Sequence, residues 1–330
     1  MKLYSPAVIT VLMEKHKFKI SKALGQNFLV DKNITEKIIS AAGIGKGDFV
    51  VEIGAGMGVL TVAAADLAEK VFAIEKDKAL IPILKEVTKE YNNVEIILND
   101  ALKENINELA KGSKIKVIGN LPYYIATTLI MKILEQKTNA ESLTVMVQKE
   151  VADRIKAGPG TKSYGTLSLA VNYYCQIEHV TDVPGSVFIP KPDVDSTVLK
   201  LIVRKEPPVS IPDETIFFSC IKAGFGQRRK TLLNSLTGLY GLDKSAVARA
   251  LSGAGIDPKR RVWRWGAERK GRLEWFENFS KVNRCRGEWG ARGMSAGEGT
   301  ALRAGWEMDG KWNPPPWTVA AWRRMGGCSL

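Results

Sequence analysis

Histidine is nearly absent: the 330 residues contain two, His16 and His179. Chemistry built on a histidine base, or on a histidine pair around zinc, therefore has almost no material. Cysteine is also sparse, since Cys175, Cys220, Cys285 and Cys328 lie far apart with no CxxC pair. That spacing argues against both a disulfide framework and a structural metal site. No apolar run reaches the roughly 18 residues of a bilayer span, and the N-terminus lacks a charged-then-apolar signal, so a soluble cytoplasmic protein is expected. Acids are in deficit, 35 against 48 Lys and Arg, which leaves a formal charge of +13. Such a field favours a polyanion such as nucleic acid. Tryptophan is missing from residues 1–260, and all 8 lie in residues 261–330, where Arg outnumbers Lys 10 to 3 after 6 to 29 before. Two compositions in one polypeptide mark residues 280–330 as an atypical tail, expected to be disordered and dispensable, as a frameshift or read-through would leave it.

What remains is 45% hydrophobic, enough for two globular units. Lys15 to Lys22 reads as the end of a basic N-terminal arm, residues 1–23. A helix is expected from Asp31 to Ala42 with Gly43 to stop it, then a buried strand Phe49 to Ile53 and a helix from Leu60 to Ala68. Strands at Val71–Ile74, Val94–Leu98, Ile115–Ile118 and Leu143–Val147 alternate with helices at Lys78–Glu90, Ala126–Glu135 and one starting near Gln148. Alternation of this kind predicts an α/β fold with a doubly wound, mostly parallel sheet. Gln176–Val183 and Ser196–Val203 read as a closing hairpin pair. Past the Pro207-Pro208 linker, three helical patterns at Glu214–Ala223, Arg229–Leu236 and Lys244–Ser252 predict a small helical domain, residues 207–279.

Gly54-Ala55-Gly56-Met57-Gly58 falls where a strand turns into a helix, and glycine there lets backbone approach a ligand. Glu75 ends the second strand 21 residues after Gly54, where a carboxylate accepts ribose hydroxyls. Asp100, at the end of the third strand, is placed to accept from an adenine amine. Together they outline an adenosine-shaped pocket at the carboxyl edge of the sheet. NAD would use the same edge, but the spacing is GxGxG, with Val59 where a dinucleotide fingerprint has its third glycine, which tilts toward S-adenosylmethionine.

Asn120-Leu121-Pro122-Tyr123 follows the fourth strand. An exocyclic adenine amine is a poor nucleophile because its lone pair is delocalised into the ring. Acceptors at the Asn120 side chain and the Leu121 carbonyl, with Pro122 fixing the chain direction, favour a pyramidal nitrogen with its lone pair free. Tyr123 offers a stacking face to an extruded base. No strong base is required, which suits a chain with two histidines.

These segments, with Leu24 to Leu29, Gln148 to Ile155, Phe188 to Ser196 and Phe225 to Leu232, resemble the rRNA adenine N6-dimethyltransferases over about residues 15–261. The resemblance implies a class I S-adenosylmethionine-dependent methyltransferase domain, Rossmann-like with seven strands, over residues 24–206. It further implies that Asn27 and Leu29 line the methionine side of the cofactor, that Gly54 and Gly56 lie against it, that Asn120 bridges cofactor and target, and that Phe188 is a second stacking wall opposite Tyr123. The implied activity is dimethylation of two adjacent adenines in the 3′-terminal hairpin loop of small-subunit rRNA, within a pre-30S particle, by a monomer without metal. A large-subunit rRNA dimethyltransferase of the macrolide-resistance type and a non-catalytic assembly or transcription factor are the alternatives. Arg228-Arg229-Lys230, read at the start of a helix, would hold an RNA phosphate against the helix dipole, with Lys15, Lys17 and Lys19 as further phosphate contacts.

Overall fold

The computed structural model describes residues 2–262 apart from Pro212 and Arg228. The expectations for residues 263–330, the atypical tail among them, fall outside the described residues. The chain divides into two compact units after Pro208, two residues past the boundary read from the sequence.

The first element is a helix, α1 (Pro6–Lys15), and it corrects the reading of residues 1–23 as a basic arm. Pro6 sits in its first turn, where the missing N–H costs nothing. Ile9 and Leu12, three apart, bury against Leu80, Ile83 and Val87 together with Leu3 and Phe18. The lysines from Lys15 onward obscure this apolar stripe because it lies upstream of them. A two-residue strand, β1 (Phe28–Leu29), precedes α2 (Lys32–Ala42). The Asp31 carboxylate caps α2 by accepting the Ile34 N–H at 2.9 Å, and Gly43 closes it at φ +64°, as the sequence pattern predicts.

The central run is β2 (Phe49–Ile53), α3 (Val59–Ala65), β3 (Lys70–Glu75), α4 (Ile81–Val87), β4 (Val94–Leu98), the short α5 (Ile106–Leu109), β5 (Ile115–Asn120), α6 (Ala126–Glu135) and β6 (Ala140–Gln148). It continues through α7 (Lys149–Lys156), α8 (Thr166–Tyr174), β7 (Cys175–Val183), β8 (Phe188–Ile189) and β9 (Ser196–Val203). Seven strands form one sheet in the order β4-β3-β2-β5-β6-β9-β7, and β1 pairs separately with β8. The first five are mutually parallel, whereas β9 runs antiparallel to both β6 and β7. The α/β doubly wound expectation holds. Its hairpin pair is present too, with β9 the inner strand.

The order reverses direction at β2, whose neighbours are β3 and β5, and that switch point opens a crevice at the carboxyl ends of the strands. The two central strands meet there through a residue without a side chain. A methyl group on Gly119 would stand 2.6 Å from the Ile53 carbonyl oxygen and 3.2 Å from Leu121. The α8 helix is the main element absent from the sequence reading. Leu167, Ser168, Leu169, Ala170, Val171, Asn172 and Tyr173 are all buried, so the helix has no exposed face to give a readable helical period.

The second unit contains α9 (Glu214–Gly226), α10 (Leu232–Leu236) and α11 (Lys244–Gly253). Asp213 caps α9 through the N–H groups of Thr215 and Ile216, and Asp243 caps α11 through that of Ala246. Arg229 and Lys230 do not start a helix, contrary to the sequence reading. Thr231 takes the N-cap of α10 and accepts from Asn234, which leaves Arg229 and Lys230 in the turn that leads from α9.

Replacing Gly119 by alanine is expected to lower stability by about 1–3 kcal/mol, because backbone of two paired strands must separate to admit the methyl group. Urea unfolding checks this; an unchanged midpoint contradicts the close approach.

Candidate active site

A cleft opens at the switch point, lined by Asn27, Leu29, Gly54, Gly56, Glu75, Asp100 and Asn120 together with Leu121, Pro122 and Tyr123. Ten residues singled out in the sequence thus converge on one crevice. The chain reaches it through the glycine turn, where Gly54, Gly56 and Gly58 all have positive φ, +73°, +58° and +84°. L-residues with side chains avoid this region. All three glycines also meet neighbours: a methyl group on Gly54 would lie 3.6 Å from the Asn120 carbonyl oxygen, one on Gly56 would touch the Phe28 ring at 3.4 Å, and one on Gly58 would lie 2.8 Å from Val87. The turn is pinned to the end of β3, since the N–H groups of Gly54 and Ala55 donate to the Ile74 carbonyl at 2.9 and 3.2 Å.

Glu75 extends that link through its side chain. Its carboxylate accepts N–H groups from Gly56, Lys76 and Asp77, each at 2.8 Å. Burial raises its pKa, and these three donors pull back against the rise. Asp100 accepts the Leu102 N–H at 3.0 Å and pairs with the Lys76 ammonium at 2.9 Å. Burial works to raise its pKa, but the bonds from Lys76 and Leu102 outweigh it and the net shift is downward. Asp100 is the more firmly ionised of the two.

Asn120 ends β5, and its side-chain Nδ2 donates to the Asn27 carbonyl at 2.8 Å. That bond takes one of the two amide N–H groups and fixes the amide's orientation, with Oδ1 the acceptor atom of the side chain. The Leu121 N–H donates to Met146 at 3.1 Å, and the Pro122 carbonyl accepts from Ile125 and Ala126, which locks the tetrapeptide between β5 and α6. The Tyr123 hydroxyl is within 2.7 Å of Ser196 Oγ. Burial raises the Tyr123 pKa, so the phenol stays neutral.

The remaining predicted residues lie elsewhere. Phe188 is 3% exposed, packed in a core with Leu29, Ile34, Met146 and Val198, and is absent from the cleft lining. Its pairing with Leu29 across β1 and β8 turns the ring into the interior, so the expected second stacking wall is not met by its position here. Lys15 is bonded to Glu86 at 2.7 Å. Lys17 and Lys19 are not among the cleft residues, and Arg228 lies outside the described residues.

Four contributors to the site escape the sequence reading. Gln26 bridges the Ser21 N–H and the Asp77 carboxylate, both at 2.7 Å, and Lys76 supplies the counter-charge for Asp100. Tyr124 lines the mouth at 56% exposure. Glu52, buried at 1% on β2, receives a hydrogen bond from Thr61. A charged residue inside an apolar run, Val50-Val51-Glu52-Ile53, is the one signal that marks Glu52 in advance.

Chemically, this donor set fits an adenosine-bearing cofactor. Bare backbone at Gly54 and Gly56 admits close approach, and carboxylates stand at the ends of two successive strands. Acceptor-rich Asn120 faces the same crevice. Among the described residues, no group of three metal-ligating side chains is present and no helix is long and apolar enough to cross a membrane.

A family model for ribosomal RNA adenine dimethylase matches residues 17–264. The chain belongs to the ribosomal RNA adenine dimethylase family. It is 49% identical over 265 residues to the ribosomal RNA small subunit methyltransferase A of Alkaliphilus oremlandii (strain OhILAs), covering 79% of this chain and 92% of the relative. Among solved structures it is similar to a dimethyladenosine transferase from Plasmodium falciparum, with a TM-score of 0.67, 26% identity, and 78% and 98% of the two chains covered. A 23S rRNA methyltransferase, ErmE, aligns with a TM-score of 0.60 at 25% identity over 78% and 99% of the chains. Family membership places the Rossmann-like sheet among methyltransferase folds.

Burial pushes the Glu52 carboxyl from 4.5 up to about 8, with Thr61 opposing the shift and Glu75 adding to it. The folded chain therefore keeps a proton that the unfolded chain releases. Stability from this group is complete below about pH 4.5 and falls as pH rises toward 8. Relative to Glu52→Gln, the wild type should lose up to ~1.4 kcal/mol per pH unit across that window. Urea unfolding of both proteins from pH 5 to 8 checks this, and parallel profiles overturn it.

Proposed function

We propose that this chain transfers methyl groups from S-adenosylmethionine to N6 of two adjacent adenines in the 3′-terminal hairpin loop of small-subunit rRNA. It would act as a cytoplasmic monomer, without metal, on a pre-30S particle during ribosome biogenesis. The supporting observation is the orientation of Asn120. One N–H of its amide is held by the Asn27 carbonyl, which fixes the amide's orientation and supports the oxygen as the acceptor for a substrate N–H.

When bound, the cofactor supplies an electrophilic methyl group. Gly54 and Gly56 give it room, Glu75 accepts from its ribose, Asp100 from its adenine amine, and Asn27 and Leu29 line its amino-acid side. The protein's own work on the target is positioning. Asn120 Oδ1 and the Leu121 carbonyl accept the two amine protons, which draws the nitrogen out of conjugation. Tyr123, neutral and tethered by Ser196, presents its ring to the extruded base. The product proton leaves to water, so the lack of a histidine base is no handicap. Arg228, Arg229 and Lys230, with Lys17 and Lys19, supply charge for phosphates.

The large-subunit alternative draws on the likeness to ErmE, while the 49% identity to a small-subunit methyltransferase favours the reading above. Methyl incorporation into unmethylated small subunits, with mass spectrometry of the nucleosides, is the direct test; incorporation into large-subunit RNA alone would reverse the assignment. Asn120→Ala should cut methyl transfer by about 10²–10³-fold while RNA affinity is retained. Parallel loss of both would mean that Asn120 acts on RNA binding instead. In a salt titration, the Arg228→Gln/Arg229→Gln variant should flatten the slope of log affinity against log salt by about one for each phosphate it no longer neutralises. An unchanged slope removes the triplet from the RNA interface.

A further inference from the structure

The turn that carries Asp100 is held from outside the cleft by a half-buried cation. Lys132, on α6, donates from Nζ to the main-chain carbonyls of Ala101, Leu102 and Glu104 at 3.2, 2.8 and 2.8 Å. An ammonium has three N–H groups, and here each has a carbonyl. The turn itself is tight. The N–H groups of Lys103 and Glu104 both return to the Asp100 carbonyl, at 2.7 and 3.2 Å, and the Leu102 N–H holds Asp100 Oδ1. Asn99 closes the other side, accepting the Asp100 N–H at 2.8 Å and donating to Glu104 at 2.5 Å.

A turn wound this way aims successive carbonyls in one direction, toward the end where a cation is favoured. Lys132 occupies that end. The side chain is half-buried; desolvation lowers its pKa, while the charges of Glu104 and Asp100 oppose the shift. Removing the ammonium would leave three converging carbonyls without a donor, and the cheapest remedy is for the turn to rotate toward water. Asp100 is the first residue of that turn, so its carboxylate would move with it. Ala101, the first of the three carbonyl residues, also lines the cleft.

We propose that Lys132 is a positioning residue for adenine recognition: it fixes turn 100–104 so that the Asp100 carboxylate stands where it reads the amine of the cofactor's adenine. The inference rests on the reading of Asp100 as the adenine acceptor, and its test separates the two. Calorimetric titration of the full chain with S-adenosylhomocysteine and with its deaminated analogue, S-inosylhomocysteine, measures amine recognition without turnover. Wild type should prefer the amine form by at least about tenfold. Lys132→Met keeps the apolar stem and should bring the ratio to within about twofold, whereas Lys132→Arg, which keeps a cation with several donors, should restore most of it. Asp100→Asn is the reference and should abolish the preference. If Lys132→Met retains the wild-type ratio, or weakens both ligands equally, while Asp100→Asn loses the preference, Lys132 is only a stabilising residue and the proposal fails. If Asp100→Asn itself keeps the preference, the reading of Asp100 fails and the proposal goes with it. Thermal melts establish that each variant is folded; should Lys132→Met not fold, Lys132→Gln carries the same comparison.

Discussion

The site depends on a backbone constraint: the chain leaving β2 must turn through three positive φ angles without a single side chain in the way. Gly54, Gly56 and Gly58 satisfy the angles, and Gly119 on the neighbouring strand satisfies the distance. Only with both conditions met do β2 and β5 lie close enough for the ends of β3, β4 and β5 to face one crevice. Glu75 then ties the turn to β3 by accepting the Gly56 N–H. The carboxylate proposed to accept from the cofactor's ribose thus also fixes the loop beside it.

The sign of charge in the cleft differs from that of the chain as a whole. The chain as a whole carries +13, which suits a polyanion, yet the cleft gathers Glu52, Glu75 and Asp100. A cationic cofactor and an anionic RNA, the ligands of the proposed function, would have opposite needs. Three carboxyls in one crevice would repel one another if all were ionised. Burial resolves this by holding Glu52 protonated up to about pH 8, so that Glu75 and Asp100 carry the charge. Lys76 neutralises part of the rest at Asp100.

The parallel sheet and the crevice were legible in the sequence because they rest on local signals. Strand-length apolar runs, glycines at every second position and acids at strand ends each have a direct backbone meaning. Where the reading departs from the structure, the deciding contact is long-range. The resemblance makes Phe188 a stacking wall, but its pairing with Leu29 across 159 positions of chain turns it inward. The α8 helix is buried on every side, which erases its period, and the apolar stripe of α1 lies upstream of the lysines that dominate that stretch. Thr231, a better cap than any residue before it, starts α10 after the basic triplet instead of at it. Lys132 gives no signal at all, because three carbonyls from another segment define its role.

The N-terminal segment ties together the glycine turn and the Asn120 tetrapeptide, which line one cleft. Phe18 meets Phe28 edge-on, with centroids 5.9 Å apart at 69°, and the Phe28 ring covers Gly56. One residue before Phe28, the Asn27 carbonyl holds the Asn120 amide. A single stretch of chain therefore touches the glycine turn on one side and the tetrapeptide on the other. Its footing is α1, packed on α4 and fastened where Glu86 accepts from both Lys15 and His16 at 2.7 Å. An arm that hung in solvent would leave the Asn120 amide without the Asn27 carbonyl, free to turn an N–H toward the position where the proposed reaction requires an acceptor. The helix at the start of the chain thus bears on the chemistry through the amide orientation of one asparagine.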